Sequence, residues 1–582
     1  MKNTIKLLAL LLAFLMLLTA CDFVGTGEIE SETVTETESQ TVDVVESEKE
    51  TEPPSVEVIE SETEPEEETE DPKVVYRESI SHTRKEIESM ITLGEGDFEE
   101  AQAKLKEFES LAIVSTDYEA VDELYMEFED MFYHLDTQIS LANIIYDLNH
   151  KNTDASSRYL DNYELFGDLY TEYMFACRNV YNQSPIRDEL FADWTEADIR
   201  MLLNYTPESQ ELREANETLL IEFNELTGAA ANERKAEIYV QIIKNNNRIA
   251  ELAGYDNYYD YATVEVYGRD YSKEEINTFK NYIIEYFVPQ IDKLKSGWNI
   301  KYNALSNYGK KFVRSFLYDP FDSFDVNYLE GYVNSYTNST GEGFRHLFEN
   351  RNMIFSSSPN SHQSAYQTYL EVYEHPFCLF GSNGQSVPTM VHEMGHYYAS
   401  LYVPHVASYD VAEIQSQANE FLLLKYLDDH IDADIYDTLV EYNIFNAVAM
   451  IIVCAVIDDF EQKVYSIENI DGYTYEDFTN IMTEIRARYN GAADKVTDMN
   501  EYWMAVCPNS PVYYISYATS SIAALSIYAT ALEDEELGRE TYRKLIEEIG
   551  EDDGFKIVMT KIGLDSPFEK ATFEKLKAGI LN

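Results

Sequence analysis

From about residue 78 to 300, apolar side chains recur at intervals of three and four. That is the period of a helix with one buried face. The stretches "RKEIESMITLGEGDFEEAQAKLKEFESL", "DELYMEFEDMFYHLDTQISLANIIYDL" and "RKAEIYVQIIKNNNRIAELAGY" all show it. Prolines are sparse there, so little cuts these helices short. Runs with strand character are few, and "PFCLFGS" at 376–382 is the best candidate. From Val391 onward the helical period resumes in several segments, without a fixed-period repeat. The pattern predicts a large, mostly α-helical protein with one small β element. A chain of 582 residues exceeds a single compact core, so two lobes are expected.

The first 75 residues break this pattern. Lys2 and Lys6 precede an apolar run from Leu7 to Leu18. The run is too short to span a bilayer, which takes about 20 residues, and it reads as a signal-peptide core. It ends in Leu18-Thr19-Ala20-Cys21, which resembles the lipobox of bacterial lipoproteins. The resemblance implies lipidation of Cys21 and an anchor on the outer side of the cell membrane. Residues 21–75 are rich in Glu, Thr, Ser, Val and Pro. Like charges and few large apolar groups predict an extended, disordered acidic spacer. The expected division is a leader over 1–20, the spacer over 21–75, a helical region over 76–200, and the functional domain over 201–582.

Composition narrows the partners. Acidic residues number 107 against 43 basic, a formal net charge of −64, which repels phosphate backbones and argues against nucleic acid. Beyond Cys21, the cysteines Cys177, Cys378, Cys454 and Cys507 show neither close pairing nor metal-ligand spacing, and buried free thiols are expected. Nothing in the pattern sets the oligomeric state.

The chemistry gathers in "TMVHEMGHYYAS", Thr389 to Ser400. On a helix, residues four apart share a face, so His392 and His396 can meet one ion, with Glu393 beside it. Zinc takes imidazole nitrogen readily, and in an HExxH motif the glutamate is the general base of a metalloprotease, acting on a zinc-bound water. Gly395 is costly inside a helix and suggests close approach of another backbone. A third ligand is expected from "VAEIQSQANEFLLLKYL", where spacing alone leaves Glu413 and Glu420 open.

The HExGH core followed by E-x-x-S-x-x-x-E resembles the thimet oligopeptidase and oligoendopeptidase F family of zinc metallopeptidases. The similarity extends to "NRIAELAGYDNYYDYATVEVYGRDYS", "YEHPFCLFGSNG" and "SPVYYISYATSSIAAL", and covers roughly residues 200–582. It implies a two-lobed, gluzincin-like helical fold, with a small β element beside the zinc helix and a deep substrate channel. It implies one Zn²⁺ per chain, held by His392, His396 and Glu413, with Glu420 supporting the site from behind. The strand before the zinc helix would line the cleft, which nominates Phe377, Leu379, Gly384 and the neighbouring His375 for substrate binding. Tyr517, or else Tyr514, would stabilise the oxyanion.

The chain also departs from the family pattern. Ala399 stands where relatives carry a third histidine, and Cys507 or Asn509 where they carry one before the tyrosines. The interval from His396 to Glu413 is about seven residues shorter than usual. The expected activity is zinc-dependent endopeptidase cleavage of short peptides outside the cell. The departures leave two alternatives: a catalytically inactive, lipid-anchored peptide-binding protein on the same scaffold, or another zinc peptidase class with Glu420 as ligand.

Overall fold

The computed structural model describes residues 72–94, 96–340, 343–406 and 408–581. The leader, Cys21 and most of the acidic spacer lie outside the described residues. Helix α1 (Pro72–Ile80) already begins within the last residues assigned to that spacer.

The N-terminal lobe is an antiparallel bundle of α2 (Asp97–Ala112), α3 (Tyr118–Asp147) and α4 (Thr153–Gln183). Asp117 and Asn152 cap α3 and α4, their side chains accepting from the amides of Ala120 and Ala155. Such caps satisfy amides that a helix start leaves without partners. Along α3, Val121, Tyr125, Phe128, Phe132, Leu135 and Ile139 are buried at intervals of three and four. They pack with Phe108 of α2 and with Phe166 and Tyr173 of α4 as a separate core.

The larger lobe has its own core. It contains α5 (Asn232–Leu252), α6 (Lys273–Tyr286), a three-stranded sheet, α7 (Val387–Ser400), α8 (Tyr409–Leu427), α9 (Ala433–Tyr465), α10 (Ile515–Glu533) and α11 (Glu535–Glu547). Helices α9 and α10 are long and apolar enough to cross a membrane, yet 61% and 78% of their most apolar windows are buried in the protein. Helices apolar all round serve here as core helices. Two ion pairs from buried Lys280 tie α9 to α6: its Nζ lies 2.5 Å from Asp458, also buried, and 2.6 Å from Asp459.

The sheet has the order β1 (Met353–Phe355), β3 (His375–Phe380), β2 (Ala365–Leu370). β1 runs parallel to β3, with Met353 opposite Cys378, and β2 runs antiparallel, with Ala365 opposite Phe380. A small third core joins the lobes through this sheet. There Leu141, Ile144 and Leu148 at the end of α3 and just beyond pack on Ile354, Tyr366, Phe377 and Leu379. The expected fold class, mostly helical with a small β element next to the zinc-motif helix, is what the structure shows.

Candidate metal centre

Helix α7 carries the histidines. Ser386 caps it by accepting from the Thr389 amide, with Pro388 in the first turn. Nearly every face of α7 is buried, so its side chains are held by packing on all sides. Helix α8 crosses it at Gly395. A Cβ there would sit 2.5 Å from the Gln415 carbonyl oxygen and 2.8 Å from the Ser416 Cα. The glycine expected to mark a close backbone approach does so, and that approach brings α8 alongside both histidines.

Gly395→Ala is accordingly expected to destabilise the protein. Alanine gains about 1 kcal/mol over glycine in a helix interior. Overpacking against backbone that cannot swing aside costs about 1–3 kcal/mol. A lowered urea midpoint, with weaker metal binding as α7 and α8 separate, is the expected result, and a raised midpoint would contradict it.

Ligand atoms of His392, His396 and Glu413 all lie within 4.8 Å of one another. His392 Nε2 is 3.6 Å from Glu413 Oε2, and His396 Nε2 is 3.9 Å from the same oxygen. A tetrahedral ion with bonds of about 2.0–2.2 Å spaces its ligand atoms roughly 3.3–3.6 Å apart, so these side chains fit zinc with little adjustment. Spacing left Glu413 and Glu420 open, and the geometry separates them. Glu413 sits beside both Nε2 atoms, whereas Glu420 Oε1 is 2.8 Å from His392 Nδ1, on the far side of the ring. Glu413 is further held by the Ser416 hydroxyl and by the Tyr513 hydroxyl, each donating at 3.1 Å.

The electrostatics suit a cation. Three carboxylates, Glu393, Glu413 and Glu420, crowd two imidazoles. Burial pushes Glu393 up to about 7, helped by Glu413 and Glu420 against the pull of His392. Burial also raises Glu413, while His392 and the hydrogen bonds from Tyr513 and Ser416 act in the other direction. Burial alone would depress His392, but the Glu420 hydrogen bond and the surrounding carboxylates raise it to about 9. Burial and the charge on His392 hold His396 well below the usual range.

His392, Glu393 and Glu420 open into a pocket. Its wall includes His392, Glu393, Glu420 and Tyr517, together with Asn443 and Met450 of α9, which the sequence reading did not single out. Tyr517 stands on the first turn of α10, and its hydroxyl is 3.3 Å from that of Tyr513. Tyr514 does not line this pocket. It is buried and packs its ring against Tyr502, Tyr513 and Tyr517. Tyr513 was missed. It lies in the tyrosine-rich segment, four residues before Tyr517, and that helical spacing was the available signal.

The expected substrate strand needs correction. β3 is the central strand, flanked by β1 and β2, so its backbone is not an open edge for a peptide. Phe377 and Leu379 are buried in the core between the lobes. Gly384 packs on backbone instead, since a Cβ there would lie 2.4 Å from the Ser364 carbonyl carbon. His375 is half-buried at the start of β3, with its ring 5.9 Å from that of Tyr373, and does not line the pocket. The outer strand on the pocket side is β2, and Ser364, directly before it, lines the pocket. Cys507 is fully buried, and burial raises its thiol well above the ordinary range. Asn509 faces away and accepts from Asn224 at 3.1 Å. Neither lines the pocket. The four cysteines among the described residues are free and buried.

Residues 357–577 match peptidase family M3. The matched stretch contains β2, β3, both crossing helices and the tyrosine segment. The fold extends further than the M3 match. A structure designated oligoendopeptidase F from Bacillus anthracis str. Ames aligns over 82% of this chain and 94% of its own, with a TM-score of 0.63 at 17% identity. PZ peptidase A with an inhibitor aligns over 83% and 96%, with a TM-score of 0.64 at 18% identity. Oligoendopeptidase-F from Enterococcus faecium aligns over 84% and 97%, with a TM-score of 0.50 at 14% identity. At these identities the likeness is one of fold. No match is found among curated protein sequences. The M3 match covers both crossing helices, and the likeness of fold reaches beyond it to most of the chain.

Proposed function

We propose that this protein is a zinc-dependent endopeptidase that hydrolyses internal bonds of short peptides outside the cell membrane, anchored there through lipidated Cys21. The observation that carries the catalytic part is the convergence of His392, His396 and Glu413 within 4.8 Å, with Glu393 beside His392 in the pocket wall. The Lys2–Cys21 segment supports the location. A zinc ion held by those three side chains supplies Lewis-acid chemistry at the scissile carbonyl. Glu393 takes a proton from the attacking water and passes it to the leaving amine, a general acid–base role. Tyr517, in the pocket wall, donates its hydroxyl to the oxyanion that develops. Glu420 holds His392 by its Nδ1, fixing the ring so that Nε2 faces Glu413. The peptide is placed along the outer edge of β2 rather than along β3.

One observation favours a second reading, a peptide-binding protein without catalysis. Cys507 is sealed in the core, and neither it nor Asn509 lines the pocket at the place where the family resemblance implies a histidine. Metal analysis of the full-length protein and turnover of a quenched-fluorescence peptide library separate the readings. The expected result is one zinc per chain and internal cleavage of short peptides, abolished by a chelator and restored by zinc. Zinc without cleavage transfers the assignment to the binding protein, and absence of zinc overturns the metal site.

A further inference from the structure

The turn that delivers Tyr513 to Glu413 is strained and clamped. Val512, just before it, has φ 65°. A β-branched residue rarely adopts this left-handed conformation, and it persists only where the surroundings over-determine it. Here they do. The Val512 amide donates to Glu461 Oε1 at 2.8 Å. Arg269 Nη2 donates to the Val512 carbonyl at 2.8 Å and to the Tyr513 carbonyl at 3.2 Å. The Tyr267 hydroxyl donates to the Pro511 carbonyl at 2.6 Å.

Arg269 is itself fixed, on the metal side. Its side chain is 1% exposed, and its Nε lies 3.4 Å from Asp410 Oδ2, in the first turn of α8, three residues before Glu413. Asp410 also accepts from the Tyr271 hydroxyl at 2.8 Å and the Ser516 hydroxyl at 3.1 Å. Arg269 Nη2 reaches the same Ser516 hydroxyl at 2.9 Å. A π-helical turn at Ala262–Val266 directly precedes Tyr267, Arg269 and Tyr271, all of which point into this cluster. One guanidinium thus ties the start of α8, which bears Glu413, to the start of α10, which bears Tyr517, across the turn that carries Tyr513.

We propose that Arg269 is a positioning residue: by holding the left-handed turn at Val512, it keeps the Tyr513 hydroxyl on Glu413 and so presets that carboxylate for the metal. This inference rests on the metal site proposed above. The planar fork of the guanidinium matters, because lysine keeps the charge but cannot serve Asp410 and two carbonyls in one geometry.

The test is zinc affinity of the full-length, metal-stripped protein, measured by competition with a chromogenic chelator, beside the thermal midpoint without zinc. Tyr513→Phe is expected to weaken zinc binding about 10–100-fold, the usual effect of removing a group that orients a ligand. Arg269→Lys is expected to weaken it to a similar degree. The double variant should be no weaker than Tyr513→Phe alone, because both act through one hydroxyl. Val512→Gly should restore part of the affinity of Arg269→Lys, since glycine adopts the turn unaided. A merely structural arginine would instead lower the thermal midpoint and leave zinc affinity unchanged, or its losses would multiply with those of Tyr513→Phe. Either result overturns the proposal. If Arg269→Lys does not fold, Tyr267→Phe removes the clamp's other donor and should weaken zinc in the same way. Unaltered affinity there would equally overturn it. Failure of the wild type to bind zinc would instead sink the metal site, and this inference with it.

Discussion

A Glu393→Gln protein is expected to fold, to bind zinc like the wild type, and to hydrolyse peptides about 10²–10⁴-fold more slowly, the usual share of a general acid–base group. Glu393 is 2% exposed, lines the pocket, and is not one of the three clustered ligand residues. Glutamine has the same shape, so packing survives. It cannot take a proton, so only the reaction suffers. The effect should fall on kcat more than on KM, because the group acts on the water and the leaving amine rather than on peptide binding. Equal activity of this variant would remove Glu393 from the mechanism. Loss of zinc along with activity would mean that the substitution had disturbed α7 instead.

Glu413→Gln and Glu420→Gln should part company in zinc affinity. Glu420 touches His392 at Nδ1, on the side away from the cluster, and loss of such an orienting carboxylate costs about 10–100-fold. Glu413 lies beside both Nε2 atoms, and its loss removes a charged ligand outright. Its variant should bind zinc far more weakly than the Glu420 variant and show no cleavage at ordinary zinc concentrations. Chelator competition on both proteins decides the matter. The reverse ranking would make Glu420 the ligand and reopen the reading of a different peptidase class.

The zinc-motif helix was legible in the sequence because its information is local. His392 and His396 are one turn apart, and any helix through them puts both on one face. The long helices were legible for the same reason, as the three-and-four spacing along α3 illustrates. Gly395 announced a close contact because a helix-interior glycine carries a cost that packing must offset.

Choosing between Glu413 and Glu420 was beyond that reasoning. They are seven residues apart on one helix, so both sit on nearly the same face, and only the crossing of α7 and α8 at Gly395 sets which one meets the Nε2 atoms. The strand before the motif was correctly seen as β-like, but a strand's neighbours are not written in its own residues. β1 and β2 enclose it, and so Phe377 and Leu379 serve the core. Tyr513, Arg269 and Asp410 meet across 100 to 250 residues of chain, distances over which no periodicity speaks. What the sequence determined by itself was the helical character, the histidine pair with its glutamate, and the acidic N-terminal segment, each set by residues within a few positions of one another. What only the tertiary structure decided was the partner of each: the carboxylate facing the histidines, the open strand, and the clamp on the Val512 turn, because each depends on how separate elements pack.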